Sequence, residues 1–366
     1  MTSNDVYIRL REFLDRLPAG YPATDSGVEI KILKKLFSPE DAELVMKLSP
    51  EPEDLSTIAQ RQGIDESGLK ETLDDLARRG LIFRDNQKDK LKYRAFQFVI
   101  GIYEFQINNV DREFAELTDE YFPYLGLSFL HIKTKQLRVA PVNSAIQSAP
   151  VVAPYNRVRD IVKRQELIAM APCLCRKKKD VQGNKCDKPH DLCFSFGSFA
   201  RYYIDNNMGR QISAEEAMEL LDLAEKSALV LCPANSQEME GMCCCCGCCC
   251  AQLTRLKLLS NPAAHFQSYY EAVIDPEACT ACGACIERCQ IDAIEEKGEV
   301  MGVNLARCIG CGLCVSTCPA EAITLMEKPG VEAPPKNFEE IFSRIASERA
   351  LSQESTRLVS QMDREG

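Results

Sequence analysis

The sequence predicts an α+β protein built from several domains, and three observations support that prediction. Its 366 residues exceed the usual size of one domain, about 150 residues. Apolar residues make up 45% of the chain and charged residues 27%, which is typical of folded soluble domains. The 20 cysteines all lie between residues 173 and 318. We therefore expect one part of the protein to be built around thiols.

The net charge, the N-terminal residues and the lengths of the apolar runs disfavour several classes of protein. The formal net charge of -10 disfavours a nucleic-acid or anionic-membrane surface formed by the whole molecule. The N-terminus has acidic residues where a signal peptide would be apolar, and no run of about 18 apolar residues occurs. We expect a cytoplasmic protein without a membrane partner, in which clustered cysteines bind metals or act in redox chemistry rather than form disulfides.

Residues 1–96 carry signals for helices followed by a hairpin. Ser38 and Pro39 predict the start of a helix, and Gly63 and Gly80 predict where two helices stop. Two strand-like runs then flank the polar turn at residues 86–89. This order, with the sequence LARRGLI at 76–82, resembles a winged-helix domain. The resemblance implies DNA binding through the helix before the wing.

The charge of that helix argues against DNA. Five acidic residues would face the phosphates, namely Asp65, Glu66, Glu71, Asp74 and Asp75. Residues 1–100 hold 16 basic against 18 acidic residues. We predict a structural or protein-docking role with no nucleic-acid partner, and DNA binding is the alternative.

Connecting segments precede and follow the cysteine-rich part. Residues 97–156 predict a helical and extended connector, with a strand pair over the alternating residues 129–139 and a proline-punctuated crossover after them. Residues 329–366 predict a linker and then a terminal helix that starts at Phe338.

Residues 271–328 contain two copies of one cysteine pattern. The copies are Cys279, Cys282, Cys285 and Cys289, and then Cys308, Cys311, Cys314 and Cys318. Two-residue gaps let three thiolates from one loop reach one 4Fe-4S cluster, while the fourth cysteine reaches the other cluster. We therefore assign one cluster to Cys279, Cys282, Cys285 and Cys318, and the second to Cys308, Cys311, Cys314 and Cys289.

This block resembles the bacterial two-cluster ferredoxin family. The resemblance implies two 4Fe-4S clusters in a pseudo-twofold, ferredoxin-like domain, each copy forming strand, loop, helix and strand. Gln290 departs from the pattern, because the family has proline after the fourth cysteine. Paired zinc sites are a weaker alternative, since pairs of cysteines two residues apart also bind zinc.

Residues 157–260 predict a cysteine-rich middle domain. Its first four cysteines, Cys173, Cys175, Cys186 and Cys193, lie in a segment, 157–200, with ten basic and five acidic residues. Four thiolates there could hold a third iron-sulfur cluster whose negative charge the lysines offset, or a structural zinc. His190 could replace one ligand.

A second cysteine run follows in the same domain, with Cys232 upstream of it. The run consists of Cys243, Cys244, Cys245, Cys246, Cys248, Cys249 and Cys250. Adjacent side chains diverge, so the run must face two centres or include cysteines that are not ligands. We predict one or two further iron-sulfur centres, and redox-active thiols are the alternative.

Taken together, the motifs APCLCR, CDKPHDLCFSFG and CCCCGCCC resemble a group of 4Fe-4S dicluster-domain proteins from anaerobic bacteria and archaea. In that group a winged-helix-like part precedes a cysteine-rich domain and a ferredoxin module.

The whole pattern predicts an electron-transfer protein that passes low-potential electrons to redox partner proteins. One alternative is a reductase with its catalytic centre in the 243–250 run, and another is an iron-sulfur sensing regulator. No Rossmann fingerprint or Walker A motif occurs. Residues 271–327 hold ten acidic and three basic residues, opposite in sign to 157–200, which favours docking between charged modules. The oligomeric state and whether the chain is itself an enzyme stay open.

Overall fold

The computed structural model describes residues 3–87, 90–130, 132–147 and 152–365, and the chain forms two compact units. Unit 1 comprises Met1–Gln106, Glu116–Gln136 and Lys336–Gly366. Unit 2 comprises Ile107–Ala115 and Leu137–Pro335. The cysteines all belong to unit 2.

The helices and strands of the described residues are as follows. The α-helices are α1 (Ser3–Arg16), α2 (Val28–Leu36), α3 (Pro39–Val45), α4 (Leu55–Gln62), α5 (Glu66–Arg78), α6 (Arg112–Leu130), α7 (Asn143–Gln147), α8 (Val158–Lys163), α9 (Leu174–Val181), α10 (Gly197–Asp205), α11 (Ala214–Lys226), α12 (Ala251–Leu256), α13 (Ala284–Arg288) and α14 (Phe338–Glu365). The strands are β1 (Glu53–Asp54), β2 (Phe83–Gln87), β3 (Lys90–Arg94), β4 (Arg138–Val139), β5 (Ile168–Ala171), β6 (Cys193–Phe196), β7 (Arg210–Ile212), β8 (Val230–Pro233), β9 (Gly241–Cys245), β10 (Gln267–Ser268), β11 (Tyr270–Ile274), β12 (Ile294–Lys297), β13 (Val300–Val303) and β14 (Ile323–Glu327).

The helix boundaries predicted in unit 1 are confirmed, and their caps explain them. The Ser38 hydroxyl accepts a hydrogen bond from the Asp41 amide at 3.1 Å, and the Asp41 carboxylate accepts one from the Ser38 amide at 2.8 Å. This reciprocal pair satisfies amides that have no partner inside α3. Helix α4 ends before Gly63, which has a φ of 65°.

The predicted hairpin is also confirmed in its strands. Strands β2 and β3 pair antiparallel with Phe83 opposite Arg94, and β1 adds to the other edge of β3. The order after α3 is therefore strand, two helices and hairpin. The predicted turn residues Lys88 and Asp89 lie outside the described residues.

The strand pair predicted over residues 129–139 is wrong. Helix α6 continues to Leu130, and the only strand within this range in the described residues is the two-residue β4, which pairs in parallel with β10. Residues 132–136 form neither helix nor strand, because alternating apolar residues over a short run do not by themselves supply a pairing partner. The predicted terminal helix is confirmed as α14.

Unit 2 is organised around a five-stranded antiparallel sheet. The strand order is β7-β5-β6-β9-β8, so the cysteine-bearing strands β6, β9 and β8 are neighbours. Helix α11 begins after Ser213, whose hydroxyl accepts a hydrogen bond from the Glu216 amide. The apolar core of this unit includes buried cysteines among its leucines and phenylalanines.

The segment after this sheet has an internal pseudo-twofold arrangement. Strand β11 pairs with β14, and β12 pairs with β13. The predicted strand, loop, helix and strand are confirmed for the first copy, whereas the second copy has a 3₁₀ turn, Val315–Thr317, in place of the α-helix. Equivalent loop positions share left-handed backbone: Ala281 and Gly310 have φ values of 54° and 63°.

Among the described helices, none combines the length and the apolar character needed to span a lipid bilayer.

Candidate metal centres

Four cysteines from both copies of the motif surround one pocket. Cys279, Cys282, Cys285 and Cys318, here called the outer thiol group, all line this pocket. Its other walls are apolar and come from Ile274, Met301 and Ile323. Cys282 is exposed at the surface. The structure thus places Cys318 beside the three cysteines of the other motif.

The other four cysteines of this segment form a second, more buried set. We call Cys289, Cys308, Cys311 and Cys314 the inner thiol group. Burial, together with the nearby Cys308 and Cys289, raises the pKa of Cys314 to about 12. Cys285 of the outer group also acts on the pKa of Cys314, so the two groups are neighbours.

Backbone amides donate to the thiols in a crossed pattern. The Met301 amide donates to the Cys279 sulfur and the Ala272 amide donates to the Cys308 sulfur, both at 3.4 Å. Ala272 in β11 and Met301 in β13 occupy equivalent positions before the two motifs. Each strand therefore donates an amide hydrogen bond to the first cysteine of the opposite motif. Amide hydrogen bonds stabilise negative charge on thiolate ligands.

The loop of the second motif is packed tightly against the backbone at Tyr270. Gly310 has a φ of 63°, and a Cβ there would lie 2.0 Å from the Tyr270 carbonyl oxygen. Glycine is needed because it has no Cβ and tolerates the left-handed region. Two sets of four thiols, with amide donors and tight loops, fit the requirements of two 4Fe-4S clusters.

The central sheet brings distant cysteines into one row. Cys193 of β6 lies opposite Cys243 of β9, which lies opposite Cys232 of β8. Residues paired in this way project from the same face, and Cys245 shares it because strand side chains alternate. Cys244 lies on the other face and is buried.

The row continues into a set of seven cysteines, here called the sheet thiol group. Its members are Cys173, Cys175, Cys193, Cys232, Cys243, Cys245 and Cys250. The thiols of Cys173 and Cys175 are hydrogen-bonded to each other, and Cys243 is hydrogen-bonded to Cys193 and Cys245. Cys245 also contacts Cys232 and Cys250. Seven thiols exceed the four ligands of a single cubane.

Four of the five remaining cysteines form a second cluster in the middle region. The sulfur atoms of Cys186, Cys246, Cys248 and Cys249, here called the packed thiol group, all lie within 4.8 Å of one another. Cys186 therefore does not group with Cys173, Cys175 and Cys193, as the sequence order suggested. The cause is β6, which carries Cys193 into the sheet while Cys186 stays in the loop before it.

Strand geometry explains how the cysteines of the 243–250 run divide between the sheet thiol group and the packed thiol group. Cys243 and Cys245 face the sheet thiol group, and Cys246, beyond the end of β9, joins the packed thiol group. Cys244 belongs to neither group. Cys232, which the predicted ligand set omits, lies in the row, and only the strand register could have found it.

Arg176 is the main positive charge buried beside these thiols. Its side chain is fully buried and one nitrogen donates to the Cys244 carbonyl oxygen at 2.6 Å. The other two guanidinium nitrogens have no hydrogen-bond partner among the described residues. Burial opposes its charge, but Cys173, Cys246 and Cys245 raise its pKa. A buried cation with free donors fits an anionic iron-sulfur group at this place.

His190 does not belong to the sheet thiol group or to the packed thiol group. Its Nδ1 atom lies 3.4 Å from a carboxylate oxygen of Asp180. The predicted substitution of a thiolate by this imidazole therefore finds no support in the described residues.

Gln290 has a role that the sequence analysis missed. The Gly247 amide donates a hydrogen bond to the Gln290 side-chain oxygen at 2.8 Å. The proline expected at this position has no side-chain acceptor, so glutamine allows the turn holding Cys246 and Cys248 to contact the residue that follows Cys289. The sequence showed that Gln290 departs from the family pattern, but it did not show that the Gly247 amide is its hydrogen-bond partner.

Comparison with known proteins identifies the segment that holds the inner and outer thiol groups. Residues 272–325 match the family model described as the 4Fe-4S dicluster domain. No curated protein matches the chain, and no solved structure matches it. The chain therefore contains an iron-sulfur segment of the dicluster type, together with a cysteine-rich region.

Proposed function

We propose that this protein transfers electrons through iron-sulfur centres in unit 2 and exchanges them with redox partner proteins. The observation that supports it best is the division of eight dicluster cysteines into an outer group that reaches the surface at Cys282 and an inner group with no exposed member. Clusters of the 4Fe-4S type accept and release single electrons at low potential. The chain's own residues hold these centres, tune them through amide donors and keep water from the inner one.

The position of the two groups suggests a route. Cys282 is exposed, whereas Cys308 and Cys314 are buried. Gln290, next to Cys289, contacts the turn that carries Cys246 and Cys248. That turn directly follows β9, which carries Cys243 and Cys245 of the sheet thiol group. Electrons would enter or leave at the outer group, pass the inner group and reach a further iron-sulfur centre at the sheet thiol group.

Charge around the outer group indicates the kind of partner. The segment from 271 to 327 has ten acidic and three basic residues, and Glu277 and Glu287 are exposed close to the outer cysteines in sequence. A partner with a basic docking face would be steered to this surface. The reducing, cytoplasmic setting inferred from the sequence is part of this proposal.

Unit 1 fits a docking role better than DNA binding. Its order of strand, two helices and hairpin supports the winged-helix interpretation. The basic residues near α5 are paired within the unit: Lys70 lies 2.6 Å from Asp74, and Arg79 lies 2.8 Å from Asp41. Few positive charges are therefore left for phosphate contacts. The regulator and reductase alternatives have no comparable support.

The proposal is tested by electron transfer to two small haem proteins, one basic and one acidic. The full-length protein, purified anaerobically and reduced by a low-potential donor, should reduce the basic acceptor faster, with a rate that falls as salt rises. No metabolite should be consumed. Failure to transfer electrons to either acceptor would overturn the proposal.

A charge-reversal pair locates the docking surface. Glu287→Lys should slow reduction of the basic acceptor several-fold because it weakens electrostatic steering. Glu71→Lys makes the same charge change on the exposed face of α5 in unit 1 and serves as the control. Equal effects of the two variants would show that the outer group is not the docking site.

A further inference from the structure

The packed thiol group differs from the other thiol groups in how closely its sulfur atoms approach. The Cys186 and Cys248 sulfurs are 3.5 Å apart, and the Cys248 and Cys249 sulfurs are 3.6 Å apart. All four sulfurs lie within 4.8 Å of one another. In the described part of the chain, no other set of three or more histidine, cysteine or acidic ligands is so compact.

This spacing corresponds to ligands of one metal ion. Zinc-sulfur bonds of about 2.3 Å in a tetrahedron place neighbouring sulfurs about 3.8 Å apart. In a 4Fe-4S cluster each thiolate binds a different iron, and the irons and sulfides lie between the thiolates. The four sulfurs of the outer thiol group do not all lie within 4.8 Å of one another, so they have a wider arrangement than those of the packed thiol group.

The chain around the packed thiol group is suited to a closed site. The Lys188 amide donates to the Cys186 sulfur at 3.5 Å. A Cβ at Gly247 would lie 2.4 Å from the Gln290 carbonyl oxygen and 3.1 Å from the Lys257 ammonium nitrogen. Glycine thus lets the turn approach a hydrogen-bond partner and a positive charge. A divalent ion with four thiolates carries a net charge of about -2, which such a cation stabilises.

We propose that Cys186, Cys246, Cys248 and Cys249 bind one zinc ion in a closed tetrahedral site. On binding, the thiol protons leave to solvent and four zinc-sulfur bonds form, with no change of oxidation state. The ion joins the loop before β6 to the turn after β9, and it stabilises the contact between that turn and Gln290. The site is structural, because four protein ligands leave no open position.

Metal analysis and X-ray absorption of the wild-type protein test the proposal directly. The anaerobically purified full chain should contain about one zinc per chain in addition to its iron. The zinc absorption edge should show four sulfur neighbours at about 2.3 Å and no metal neighbour. A metal neighbour, a single iron in place of zinc, or a disulfide without metal would overturn it.

Two matched variants separate this site from the iron-sulfur centres. Cys248 and Cys282 are both exposed, so Cys→Ser changes at them impose similar folding costs. Cys248→Ser should reduce zinc to a small fraction of one ion per chain and leave the visible spectrum of the dicluster segment intact. Cys282→Ser should have the opposite effect, lowering iron and leaving zinc.

Cobalt substitution gives a readout that does not depend on a variant. Cobalt in place of zinc should show the ligand-field and thiolate charge-transfer bands of a tetrahedral tetrathiolate. An octahedral or oxygen-rich spectrum would overturn the proposal. Electron transfer through the dicluster segment can fail while these results hold, so this inference and the proposed function are tested separately.

Discussion

The outer and packed thiol groups each contain four cysteines of unit 2, yet the two are arranged differently. The sulfurs of the packed group all lie within 4.8 Å of one another, whereas those of the outer group, which line one pocket, are spaced more widely. Space between thiolates suits a polynuclear cluster, and contact between thiolates suits one ion. The spacing of the sulfur atoms, rather than the number of cysteines, distinguishes the two kinds of centre.

The two groups also differ in how the chain assembles them. Three members of the outer group come from one tight loop, and amides from nearby strands donate to the thiols of this segment. The packed group joins Cys186 to a turn 62 residues further along, as the contact between Cys186 and Cys248 shows. The first arrangement is mostly local, and the second requires the whole sheet to form.

The largest expected effect tests the crossed ligand set of the outer group. Cys318→Ser should abolish or strongly perturb the cluster that shares Cys279, Cys282 and Cys285, with a loss of up to about four irons per chain. Electron paramagnetic resonance of the reduced protein should show one perturbed and one intact cluster.

Cys289→Ser is the matched variant for that experiment, because it changes the equivalent cysteine of the other motif. It should perturb the inner group only. If Cys318→Ser instead damages the centre of Cys308, Cys311 and Cys314, the crossed arrangement is wrong.

A smaller effect tests how closely the backbone must approach in the dicluster segment. Gly310→Ala places a Cβ 2.0 Å from the Tyr270 carbonyl oxygen, whereas Gly298→Ala meets nothing within 4 Å. Both glycines have positive φ, so alanine at either position costs about 1–2 kcal/mol of folding free energy, because L residues are strained in left-handed backbone. Gly310→Ala should lose more stability, which is measured as a lower denaturant midpoint for loss of iron-sulfur absorbance. Equal midpoints would mean that the close approach contributes nothing.

The smallest effect tests the contact between the dicluster segment and the turn of the packed group. Gln290→Met removes the acceptor of the Gly247 amide and should cost about 1 kcal/mol. Zinc should then transfer about fivefold faster to a chromogenic chelator, because the turn opens more often. Gln290→Glu keeps an acceptor oxygen and serves as the control. If zinc transfers at the same rate from both variants, the hydrogen bond to Gln290 does not stabilise the zinc site.

The eight dicluster cysteines could be proposed from sequence because their spacing is local. Residues three apart in a tight loop reach one cluster whatever surrounds them, and the family match covers this segment. The caps at Ser38 and Ser213 were likewise readable, since a side chain there bonds an amide only three residues away. The strand pair predicted over residues 129–139 was wrong because a short alternating pattern does not specify a pairing partner, and residues 132–136 are irregular.

The sequence by itself determined that the chain is thiol-rich, which cysteines repeat in the dicluster segment, and where several helices begin and end. Only the tertiary structure decided how the other 12 cysteines divide. Strand register places Cys232 beside Cys243 and turns Cys244 to the opposite face. Folding of the sheet brings Cys186 to Cys248 across 62 residues. Side-chain direction alternates along a strand, so partners of consecutive cysteines depend on pairing that no local pattern specifies.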